Sequence, residues 1–301
     1  MSNSTLRRRA FVAALFAVAS AALVPAFAAD FTSERISVTT EGEGHDVVLI
    51  PGLGSSPRVW REMVRAVPGH RYHIVHVSGF AGRPRGQNAE GSVAAPVAAE
   101  IARYIAARAL DRPAVIGHSM GGTIGMMIAA RHPEALSKLM VLDMLPFLGA
   151  MFGPPGTTAD SIRPLADMLK TQMSMVDPAA RQERSSANLA RMIDNAAMRP
   201  GALDDALASD QDMVARSYHE LVVTDLRSEL ARIKVPVTVL YVSPKTPGVT
   251  DASIDARYQE AYAPVKGVTL KRIPASAHFM MWDQPEQFQA EVRAFLGQPK
   301  R

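Results

Sequence analysis

The sequence predicts an α/β protein, with a mostly parallel central sheet and helices on both faces. Three observations predict it. Short apolar, strand-like runs alternate with stretches of helical composition from residue 35 to 143, the pattern of a parallel sheet covered on both sides. The alternation stops over residues 146–224, which contain no convincing strand, and resumes at Val235. Finally, Gly117-His118-Ser119-Met120-Gly121 stands between an apolar run and a run of small and apolar residues, which is G-x-S-x-G in a strand–sharp turn–helix setting.

Taken in order, the chain opens on a targeting segment. Arg7-Arg8-Arg9 is a basic start, Ala10 to Leu23 a short apolar stretch, and Ala26-Phe27-Ala28 a small-x-small cleavage pattern. Residues 1–28 therefore read as a signal peptide, and the mature chain begins near Ala29. Arg8-Arg9-Ala10-Phe11-Val12 also resembles a twin-arginine export signal. Ser20 and Pro25 interrupt the apolar stretch, which argues against a permanent membrane span. The predicted location is exported, periplasmic or secreted.

Strands are expected at 35–39, 46–50, 72–77, 113–118 and 138–143, with helices at 57–67, 93–110 and 122–132. Pro133 stops the last of these helices. The Pro/Gly stretch Phe152-Gly153-Pro154-Pro155-Gly156 opens the inserted segment. Helices are expected there near 158–176, 178–198 and 202–223, punctuated by Pro178 and Pro200. A short helix follows from Leu226 to Ile233, with Asp225 as its N-cap. Strands return at 237–242 and 268–273, a helix begins near Asp251, and the last starts at Asp283-Gln284-Pro285. The core domain is then 29–145 together with 225–301, and 146–224 is a helical cap inserted over the site.

Composition excludes several classes. Three of the 33 basic residues lie in the targeting segment, which holds no Asp or Glu. The remainder carries 30 basic against 29 acidic residues, so no nucleic-acid partner is expected. The absence of cysteine removes disulfides, thiolate nucleophiles and Cys-bound metals. No His/Asp/Glu set has metal-ligand spacing, so neither metal nor cofactor is predicted. Seven of the 16 methionines fall in the cap, and this flexible side chain suits the wall of an adaptable apolar pocket.

The chemistry converges on Ser119. The turn forces unusual dihedrals on it, and flanking glycines remove the side chains that would clash. Upstream, Val47-Val48-Leu49-Ile50 leads into the glycine-rich turn Pro51-Gly52-Leu53-Gly54, whose Leu53 N–H can pair with that of Met120 as an oxyanion hole. Downstream, His278 follows the last strand in Ala275-Ser276-Ala277-His278-Phe279, placed to act as general base.

Pro51-Gly52-Leu53-Gly54, Gly117 to Gly122, Asp225 to Pro236 and Ala277-His278-Phe279 together resemble the α/β-hydrolase superfamily, in particular its capped bacterial esterase-like members. The resemblance runs over roughly residues 35 to 297 and implies serine chemistry on an α/β-hydrolase fold. Such proteins commonly carry the triad acid shortly after the strand that here reads Val237 to Val242. That position falls near Lys245 or Thr246, which are not carboxylates. Asp143, ending the strand after the nucleophile strand, is one substitute, because some superfamily members place their acid there. Asp251, 27 residues before His278, is the other, although it also reads as a helix start. The strand-end position favours Asp143.

The resemblance implies a serine hydrolase cleaving a small-molecule, apolar ester through an acyl-enzyme on Ser119. Lactone, thioester or carbon–carbon bond hydrolysis is the alternative on the same fold. So is a non-catalytic relative that binds a small ligand beneath the cap. A serine nucleophile sets the chain apart from the dehalogenase and epoxide-hydrolase members, which use aspartate.

Overall fold

Alternation along each strand divides the interior in two. The computed structural model describes residues 31–297; the predicted signal peptide lies outside them. Seven strands form one sheet: β1 (Ile36–Glu41), β2 (His45–Ile50), β3 (His70–Val77), β4 (Ala114–His118), β5 (Lys138–Leu142), β6 (Val237–Tyr241) and β7 (Thr269–Arg272). Their order is β1-β3-β2-β4-β5-β6-β7, with β1 antiparallel to β3 and every other pair parallel. Val48, Val115, Val141 and Val239 point to one face, beneath α2 (Ala94–Ala107), α3 (Met120–Arg131) and α8 (Asp251–Tyr262). Val47, Leu49, Ile116, Met140 and Leu240 point to the other, beneath α1 (Arg61–Ala66), α9 (Met280–Asp283) and α10 (Pro285–Leu296). Strands buried on both faces need apolar side chains at every position. This is why β2, β4 and β5 read as continuous apolar runs.

Between β5 and β6 stand α4 (Ala159–Ser174), α5 (Pro178–Met192), α6 (Arg199–Ala208) and α7 (Gln211–Val223). Local chemistry starts each helix where it does. Thr158 and Ser161 form a reciprocal cap on α4, and Asp177 with Pro178 opens α5. The single helix expected over 202–223 is two. Ser209 is extended, and the Asp210 side chain accepts from the Met213 N–H at 2.9 Å, starting α7 afresh. The helix expected from Leu226 to Ile233 shrinks to a single turn at Leu230–Arg232. Asp225 instead accepts from the Arg227 N–H at 3.0 Å and pairs with its guanidinium.

Three aspartate or glutamate side chains are among the ties that sew the four-helix segment to the sheet domain. Glu220 of α7 takes the Val93 and Ala94 N–H groups at 2.6 and 3.0 Å, capping α2 from outside. Asp205 of α6 accepts from Ser56 N and Oγ at 3.0 and 2.6 Å. Asp283 accepts from Asp194 N, Asn195 N and Ala277 N, each at 2.9 Å. Asp283 therefore does not start the last helix, as its sequence suggests; it ends α9 and ties loop 277–283 to the end of α5.

Candidate active site

The candidate residues gather at the carboxyl edge of the sheet, where parallel α/β folds place ligands. Ser119 follows β4, Asp143 follows β5, Leu53 follows β2, and His278 lies on the loop after β7. Ser119 has φ 54° and ψ −120°, outside the regions that L-residues ordinarily occupy. The turn is possible because a Cβ on Gly117 would strike the Gly121 carbonyl, and one on Gly121 would strike that of Ile50. Close approach of backbone to backbone is what these two glycines permit. Ser119 is partly exposed at the start of α3, whose twelve residues are buried up to Ala130.

The β2 loop runs directly beside the nucleophile turn. A Cβ on Gly52 would lie 3.2 Å from Ser119 Cβ and 3.1 Å from His118 Nδ1. Leu53 follows Gly52 on this loop and Met120 follows Ser119, so both residues lie close to the serine. Asp205 holds the loop from above through Ser56.

His278 Nδ1 lies 2.6 Å from Asp143 Oδ2. The other oxygen, Oδ1, accepts from the Val242 N–H and the Tyr258 hydroxyl, both at 3.2 Å. Asp143 has φ 48°, a left-handed conformation that Asp tolerates better than most residues. Asp251 is elsewhere: it is the first residue of α8 and pairs with Arg272 at 2.7 Å, so its helix-start reading is the one the structure fits. Lys245, near the usual acid position, binds both carboxylate oxygens of Asp194 at 2.8 Å.

His118 links His278 to the segment of Ser119. Its Nε2 donates to the His278 carbonyl at 3.0 Å, and its ring lies 4.6 Å from that of His278. Because a carbonyl can only accept, Nε2 carries the proton, and the buried Nδ1 has no partner among the described residues. Burial first, then the charge of His278, pushes the His118 pKa well below the usual histidine value. Burial, then the charge of Asp143, raises Tyr258 and Tyr262 well above the usual phenol value, so both hydroxyls remain donors. The Ser119 hydroxyl and His278 Nε2 make no hydrogen bond among the described residues.

A cavity of about 530 Å³ opens beside the His278–Asp143 pair, walled by Met144, Leu148, Met151, Met192, Ile254 and Tyr258, among others. Only two of the seven methionines between 146 and 224, Met151 and Met192, line it. Met213 instead is buried against Gly79, and Met168 and Met175 are exposed. Trp60, Phe80, Met281 and Trp282 are core residues. A second hollow, of about 540 Å³, runs along α5 past Ala179, Glu183 and Ala190 and touches none of the candidate catalytic groups. Among the described residues, no group of three or more His, Asp or Glu side chains is arranged to hold a metal ion.

Residues 47–291 match the sequence profile of the family described as "Alpha/beta hydrolase family". The chain belongs to this family. A pimeloyl-[acyl-carrier protein] methyl ester esterase of Aliivibrio fischeri is 28% identical over 265 residues, covering 86% of this chain and 96% of that protein. Solved structures resemble it in fold. The enol-lactonase of Burkholderia xenovorans LB400 has a TM-score of 0.68 at 19% identity, over 87% of this chain and 96% of that one. An esterase of Exiguobacterium antarcticum reaches 0.70 at 19%, over 87% and 95%. The α/β-hydrolase fold read from the sequence is the one present. No helix among the described residues is long and apolar enough to cross a membrane.

Proposed function

We propose that this α/β hydrolase cleaves a small apolar ester through an acyl-enzyme on Ser119, with His278 as base and Asp143 as acid. Ester cleavage is where the fold, the site and the esterases among its relatives agree. The observation that carries the residue assignment is the 2.6 Å contact of His278 Nδ1 with Asp143. It fixes the tautomer in which Nε2 is free to take a proton. Ser119 attacks the ester carbonyl as His278 removes its proton. The oxyanion is met by the N–H groups of Leu53 and Met120, and His278 passes the proton to the leaving alcohol. Water, activated by the same imidazole, then frees the acid. The Ser119–His278 hydrogen bond forms in the substrate complex, as such bonds often do.

The Met, Leu and Ile side chains along the cavity beside His278 support a substrate with an apolar acyl or alcohol part, although Arg191, Asp194 and Lys245 also line it. Residues 146–224 serve as the cap. We also read residues 1–28 as a cleaved export signal, on the strength of Arg7-Arg8-Arg9, the apolar run and Ala26-Phe27-Ala28. Intact-mass measurement of the native protein should give a chain starting near Ala29; a full-length main species counts against export.

A panel of esters, lactones and thioesters on the mature protein, with Ser119→Ala as control, tests the function. Esters should be turned over fastest. Ser119→Ala should lose roughly 10³-fold or more in kcat, along with labelling by a fluorophosphonate, while remaining folded. Residual turnover above about one per cent of wild type removes Ser119 from the mechanism.

A further inference from the structure

We propose that Tyr258 is a positioning residue for this reaction, acting through Asp143 to aim its carboxylate at His278. The inference rests on the assignment of Asp143 as acid. A carboxylate on one methylene swings about χ2, a broad torsion with no strong well of its own. Two donors on Oδ1 fix that swing: the Val242 N–H at the end of β6 and the Tyr258 hydroxyl, each at 3.2 Å. With Oδ1 so held, Oδ2 faces His278.

The hydroxyl of Tyr258 has little freedom. Its ring stacks on that of Tyr241 with centroids 4.1 Å apart and planes 14° from parallel, and lies 5° from parallel to that of Tyr262, 6.2 Å away. Tyr241 is anchored in turn by Asp255 at 2.9 Å. Tyr262, one helical turn on from Tyr258, donates to the Met144 carbonyl at 2.6 Å and so pins the backbone just after Asp143. One face of α8 thus holds both the side chain of Asp143 and its left-handed backbone. An acid after β6 would have had its neighbourhood here; with the acid on β5, the β6 end and α8 supply its donors instead.

Tyr258→Phe keeps the stacked ring and removes only the hydroxyl. Its kinetics on p-nitrophenyl butyrate, alone and combined with Asp143→Asn, separate positioning from packing. We expect Tyr258→Phe to lower kcat roughly tenfold, with KM within about twofold and the melting temperature little changed, the scale of one hydrogen bond to a charged group. In the Asp143→Asn background the same change should alter kcat by less than about twofold, because the group it acts through is already disabled. Wild-type kcat in Tyr258→Phe overturns the proposal. An equal loss with and without the Asp143 carboxylate also overturns it, by showing a role unconnected to the acid. If Asp143→Asn is itself silent, the acid assignment fails and the proposal fails with it. A disabled Asp143→Asn beside an unaffected Tyr258→Phe overturns the proposal alone.

Discussion

Two aspartates that the sequence leaves in competition have opposite surroundings. Asp143 touches His278, the Val242 N–H and Tyr258; Asp251 touches Arg272 at the exposed start of α8. Asp143→Asn should therefore lower kcat by roughly 10³–10⁴-fold, because an amide in that place favours the wrong histidine tautomer. Asp251→Asn should leave kcat within about twofold and remove only a favourable charge from a helix start, worth under about 1 kcal/mol. Steady-state rates of the two variants decide it; a large loss in Asp251→Asn with an active Asp143→Asn reverses the assignment. The placement of Ser119, His278, Leu53 and Met120 at the carboxyl edge of the sheet was legible because each sits in a short segment whose turn chemistry is local. Tyr258 was not, because its partner lies 115 residues away and a tyrosine on a helix ordinarily means packing. The one signal available was Tyr258 and Tyr262 at i, i+4, which share a helical face.

Helices carried their own start signals, and misreadings arose where a signal was passed over. Ser209 ends one helix and Asp210 caps the next, yet with no proline or glycine between 202 and 223 to punctuate the segment a single helix was expected across the break. At Asp283, a Pro-containing helix start looked sufficient, and nothing local reveals that its carboxylate accepts from three N–H groups on two chain segments. Methionine content suggested a pocket wall, but burial of Met213 against the sheet domain and exposure of Met168 and Met175 follow from helix placement, which composition does not encode. Glu220 gives the clearest energetic test at this scale. It caps α2 from α7, so its loss leaves three N–H groups of a buried helix start without their acceptor. Glu220→Ala should destabilise the protein by about 1–3 kcal/mol in urea unfolding, the range for a charge-assisted bond left unmade. An unchanged midpoint and slope would mean that water replaces the carboxylate at no cost.

Across the molecule, the alternation that splits strand residues between two cores was readable from the apolar runs, as was the long helical segment between β5 and β6. Strand order was not, since β1 returning antiparallel onto β3 is decided by pairing, not by any residue in β1. Buried titratable groups give the whole fold a pH dependence. His70, His73, His76 and His118 all have pKa values lowered from 6.5, burial being the largest cause in each. In the unfolded chain these histidines take up protons as pH falls through about 6.5, and the native protein does not. The unfolded state then binds more protons, so stability falls as pH drops from about 7 to 5. Glu100 and Glu229, held below 4.5 by Arg103 and Arg131, extend the loss to lower pH as they are protonated. Melting temperatures measured from pH 7.5 to 5 should decline steadily; a flat profile would mean that the buried histidines protonate as easily folded as unfolded.

The contact between His118 Nε2 and the His278 carbonyl has a consequence for where the acid of such a site can stand. His278 is tethered through its main chain to the residue next to Ser119, so its backbone is held there without reference to Asp143. A carboxylate need only arrive somewhere along the rim within reach of Nδ1. The ends of β5 and β6 are neighbouring points on that rim, so a carboxylate from either would meet the same imidazole. Lys245, near the second of these points, reaches both carboxylate oxygens of Asp194 instead.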